Sequence, residues 1–112
     1  MSEDSDDVQW YTVRCVFRSD SEGGSLYEER LTLWQADNLD DAIAVAESEA
    51  LAFAQTIDVE YLGLAQGYWL SVPPRNGAEI YSLCRESDLE PDDYLDRFFD
   101  TGTERQRQED QQ

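Results

Sequence analysis

Histidine and lysine are both absent from these 112 residues, cysteine occurs twice, methionine once and proline three times. Without histidine the chain lacks the commonest general base and the commonest transition-metal ligand. Without lysine it has neither a Schiff-base amine nor the lysine of a phosphate-binding loop. Serine triads and Cys-His pairs are therefore excluded. Cys15 and Cys84 share no CxxC spacing and read as small buried hydrophobes rather than as a zinc site or a disulfide framework. No apolar run approaches the roughly 20 residues of a membrane span, and the acidic opening lacks a signal-peptide pattern, so a cytoplasmic location is expected.

Acids are abundant. Asp and Glu total 26 against 8 arginines, a formal net charge of -18. Nucleic-acid phosphates and anionic membranes repel such a chain, whereas a basic protein is steered towards it. The acids are also spread along the whole length, and a high-salt or GC-rich setting produces the same balance with no functional meaning.

With 40% hydrophobic and 12% aromatic residues the centre can fold, whereas the ends have almost nothing to bury. The expected organisation is a disordered acidic tail over 1–7, one domain over 8–100 and a disordered polar tail over 101–112. Between Val8 and Arg18, period-two alternation places Tyr11, Val13, Cys15 and Phe17 on one face of a strand. Ser19–Ser25 is a glycine-containing turn, and a second strand follows to Gln35. Its Tyr27, Leu31 and Leu33 are assigned to the core phase, and Glu28, Arg30, Thr32 and Trp34 to the other.

Asp37 or Asn38 can cap a helix ending near Gln55, in which Leu39, Ile43, Ala46, Ala50 and Phe53 form the apolar stripe. A third, irregular strand spans 59–72, where Gly63 and Gly67 suggest a bulge or bend. After a turn at 73–77, a fourth strand is expected over 78–85, then a helix with Pro91 in its first turn and Tyr94, Leu95, Phe98 and Phe99 on one side. The predicted fold is α+β in the order ββαββα, a four-stranded, largely antiparallel sheet with two helices on one face.

Several of these segments resemble one family. Trp10-Tyr11, Tyr27-Glu28-Glu29-Arg30, Asp41-Ala42 with Ala46, Tyr61-Leu62-Gly63 and Glu79-Ile80-Tyr81-Ser82 are similar to the uncharacterised prokaryotic family named domain of unknown function 4288. The resemblance spans roughly Trp10 to Leu83. It implies no activity, substrate or site residue.

Carboxylates are the chemistry that remains. Asp40, Asp41, Asp92 and Asp93 fall in helix first turns, where the macrodipole favours acids. Glu28 and Glu29 point to opposite strand faces. Asp20-Ser21-Glu22-Gly23-Gly24 resembles the start of a calcium loop, but its twelfth position is Leu31 rather than Glu. No catalytic residue, metal site or cofactor is therefore assigned. The binding candidates are Trp10, Arg14, Arg30 and Trp34, grouped by strand phase on a face opposite the helices, since Trp and Arg dominate binding hot spots.

Three functions follow from this reading. The leading one is a non-catalytic protein-binding module, an acidic inhibitor or regulator of a basic partner. The alternatives are a structural homodimer whose acidity is compositional, and a carboxylate-dependent hydrolase. The expected partner is a protein or a second copy of the chain, without nucleic acid or membrane.

Overall fold

A computed structural model describes residues 8–99 and 101–104; the acidic tail over 1–7 and most of the polar tail over 101–112 lie outside the described residues. The first alternating stretch forms β1, Gln9–Ser21, and the second forms β2, Gly24–Ala36, antiparallel to it around the turn at Glu22-Gly23. The helix α1 then runs Leu39–Ile57. Asn38 is its cap, accepting the Asp41 backbone N–H at 2.8 Å on its side-chain oxygen. Asp40 and Asp41 place negative charge at the positive end of the helix dipole. Asp58 stops the helix in the left-handed conformation, its N–H returning to the Ala54 carbonyl.

β3, Glu60–Leu70, pairs antiparallel with the other side of β1, giving a three-stranded sheet in the order β2-β1-β3. Tyr11, Val13, Cys15 and Phe17 of β1 are buried against Ala42, Ala46, Ala50 and Ala54 of α1. A methyl at every fourth helical position keeps a narrow, smooth seam along one side, so α1 can lie close to the strands. The expected stripe is shifted slightly. Ala46 and Ala50 are central, Ile43 and Phe53 pack at the margin, and Leu39 remains 40% exposed.

The two strand glycines have different roles. Gly63, at φ 83°, sits among the β3 residues that stand opposite Val16, where the register shifts between Cys15 and Phe17. Gly67 pairs regularly with Val13, and a Cβ there would collide with Leu39 Cδ1. Its lack of a side chain makes room for the first turn of α1.

The fourth strand predicted over 78–85 does not form, and the element order is ββαβα. The turn is present, with Gly77 at φ 83° and the Ala78 N–H donating to the Arg75 carbonyl at 2.9 Å. Beyond it the chain crosses the sheet instead of joining it. Thr12 Oγ1 donates to the Ile80 carbonyl, and the Tyr81 ring packs 5.7 Å from that of Tyr68. Thr12 and Tyr68 are register partners on the side away from α1, so residues 78–81 lie over that face. β-forming residues satisfy a pleated surface by packing on it as well as by pairing beside it, and their propensity does not separate the two.

The chain divides into two compact units, with the boundary between Ser82 and Leu83. Within the first unit α1 alone packs on the sheet. The second unit carries α2, Pro91–Phe98, with Pro91 in its first turn as expected. The Tyr94 ring lies 4.7 Å from Phe98, and the Arg85 guanidinium stands 4.7 Å over that same Phe98. No helix among the described residues is long and apolar enough to cross a membrane.

Candidate binding surface

A two-residue turn sets which side chains share a face of this sheet. Ser21 pairs with Gly24, so every β1–β2 pair joins an odd position to an even one: Tyr11 meets Trp34, Val13 meets Thr32, and Cys15 meets Arg30. Trp34 and Arg30 therefore point towards α1 with the buried β1 residues, while Leu31 and Leu33 point the other way beside Arg14 and Thr12. The expected grouping of Trp10, Arg14, Arg30 and Trp34 on one face is corrected accordingly. Trp10 and Arg14 occupy the face away from α1, and Arg30 and Trp34 occupy the helix face. Ser19–Ser25 accommodates loops of either parity, so the strand patterns alone could not fix this phase relation.

The helix-face pair has structural contacts. Trp34 packs against the core, its indole N–H donating to Thr32 Oγ1 at 2.6 Å. The Arg30 guanidinium lies 3.8 Å over the Phe53 ring and donates to both Glu49 carboxylate oxygens, at 2.7 and 2.9 Å. That hydrogen bond holds the Glu49 carboxyl below the usual carboxylate range, against an opposing effect of burial. A carboxyl lowered in the folded state stabilises the fold above its ordinary value, and the contribution disappears as pH falls through the folded one. Glu49→Gln should accordingly lower the thermal unfolding midpoint at pH 7 and do so progressively less below pH 4. An equal loss at pH 7 and pH 3 would show that the ion pair is not its source.

Beside this pair lies a polar cluster with no access to solvent for its thiol. The Tyr61 hydroxyl donates to Glu47 Oε2 at 2.6 Å, and burial, followed by that bond, raises its ionisation well above the tyrosine range. Burial likewise pushes up the Cys15 thiol, which is 3% exposed. Both groups are held neutral beneath α1. No group of three or more Cys, Asp or Glu stands where it could hold a metal among the described residues.

On the opposite face, Arg14 bridges strands. Its Nη1 meets Glu29 on β2 at 3.2 Å, its Nη2 donates to Gln66 on β3, and its guanidinium lies 5.3 Å from the Tyr81 ring centre. Residues 78–81 thus shield the β1–β3 half. Among the described residues of the first unit, none is shown covering the β2 half. There Leu31 is 41% exposed, Leu33 43% and Tyr27 60%, forming an apolar strip along one strand. Exposed Asp20, Glu22, Glu29 and Asp37 lie along it and at its ends.

Comparison of the chain with protein-family models, with curated proteins and with solved structures finds no match in any of the three. The candidate site thus rests on its own geometry. The strip of Leu31 and Leu33 replaces the predicted tryptophan-arginine patch as the apolar centre of the open face.

Proposed function

We propose that this chain is a non-catalytic binding module that engages a basic protein through the open half of its sheet. The observation that supports this reading is the apolar strip of Tyr27, Leu31 and Leu33 bordered by acids, on a face whose other half is covered by the chain itself. Apolar side chains aligned on one face gain free energy when a partner removes them from water. A net charge of -18 favours a partner of opposite sign and speeds its approach at low salt. The resemblance to domain of unknown function 4288 adds no activity to this reading.

Replacing both leucines tests it without touching the core. Leu31→Ser/Leu33→Ser should weaken a basic protein captured from the native host by at least about tenfold, near 1.4 kcal/mol, with an unchanged thermal midpoint. Equal capture by both proteins would remove the strip as the contact surface. Sedimentation of the chain alone as a dimer that the double variant dissociates would assign the strip to a second copy instead.

A further inference from the structure

The two outer edges of the sheet differ. β3 is interrupted by its register shift near Gly63, and such bulges disrupt pairing along an edge. β2 has no such device. It keeps register with β1 over thirteen consecutive pairs, contains no proline or lysine, and no strand among the described residues pairs with its outer side. About half of the backbone N–H and C=O groups of an edge strand point away from its sheet, and a long edge without a bulge is a template for another strand.

We propose that the outer edge of β2 accepts an extended, basic segment of a partner protein as a fourth strand. The inference rests on the binding-module reading and specifies how the partner is held. An added strand presents alternate side chains to the two faces. On the open face its residues lie beside Leu31 and Leu33, which calls for apolar side chains. On the helix face they run past Glu28 and the Arg30–Glu49 pair, where two carboxylates share one guanidinium and leave a net negative charge, which calls for basic ones. The incoming strand therefore alternates apolar and cationic residues. A second copy of β2 fits less well, because it belongs to a chain with the same net charge of -18.

A peptide of about nine residues alternating lysine and valine is the probe, with a control of equal charge in which the central valines are prolines that cannot pair as a strand. Amide hydrogen exchange of the full chain is followed by NMR with each peptide. The lysine–valine peptide should bind at least tenfold more tightly than the proline control. Alternate β2 amides between Leu26 and Gln35 should slow at least tenfold, while β3 amides stay unchanged. Equal binding of the two peptides, no binding by the alternating one, or binding without new protection along β2 would overturn strand addition. The leucine-strip reading is decided separately by the captured protein. If Leu31→Ser/Leu33→Ser loses that partner while the edge amides remain unprotected, the surface stands and only the strand mode fails.

Discussion

Phe17→Ala is expected to lower the free energy of unfolding by about 3–5 kcal/mol, the largest loss from any single truncation in this fold. Phe17 is 1% exposed and is the largest of the fully buried side chains. Its ring meets Phe53 of α1 edge-on at 5.2 Å and Tyr61 of β3 at 5.4 Å, so one side chain of the central strand joins the helix to an edge strand. Truncation removes the transfer free energy of the ring and leaves a cavity between α1 and the sheet, beside the register shift of β3. Because small domains are stable by only about 5–15 kcal/mol, the loss should bring the variant close to unfolding at room temperature. Urea denaturation reads it as a fall in midpoint at constant slope. Phe17→Leu, which keeps most of the volume, should cost less than half as much. A loss below about 1 kcal/mol for the alanine variant would mean that Phe53 and Tyr61 refill the space, and that Phe17 does not organise this end of the core.

Ala46→Leu should destabilise the fold by about 1–3 kcal/mol, whereas Ala44→Leu, on the exposed side of the same helix, should stay within about 0.5 kcal/mol of the parent. Alanine and leucine are both strong helix formers, so propensity cannot separate the two substitutions. The difference is tertiary. Ala46 is 1% exposed within the seam of Ala42, Ala50 and Ala54, directly over the buried β1 residues. Three added carbons there must either lift α1 from the sheet or force side chains away from their preferred rotamers. Equal midpoints for the two variants in thermal unfolding would show that the seam has slack, contrary to the burial of all four alanines.

Much of the first unit was legible in the sequence because the signals that form it are local. Tyr11, Val13, Cys15 and Phe17 alternate within one strand, and their burial as a set follows from the pleat. Asn38 caps α1 because its short side-chain oxygen reaches an N–H three residues ahead. The candidate surface was less legible. Alternation within β1 puts Trp10 and Arg14 on the side opposite Tyr11, but the side taken by Trp34 and Arg30 depends on how β2 registers with β1 rather than on anything within β2. Alanine in place of leucine along the seam also disguised Leu31 and Leu33. Leu31 and Leu33 point away from α1, and the helix face of β2 carries Leu26, the ion-paired Arg30, Thr32 and Trp34 instead.

The amino-acid sequence by itself determined the alternation within β1 and within β2, a helix start at Asp37-Asn38 and the large negative charge, since each depends on neighbouring residues or on composition. Tertiary structure decided the rest. The Glu22-Gly23 turn set the parity of every β1–β2 pair and turned Leu31 and Leu33 outward, and contacts with Thr12 and Tyr68 laid residues 78–81 across the sheet face. Both outcomes depend on how segments distant in sequence meet, and a one-residue change of register reverses every side chain of a strand without altering its local pattern.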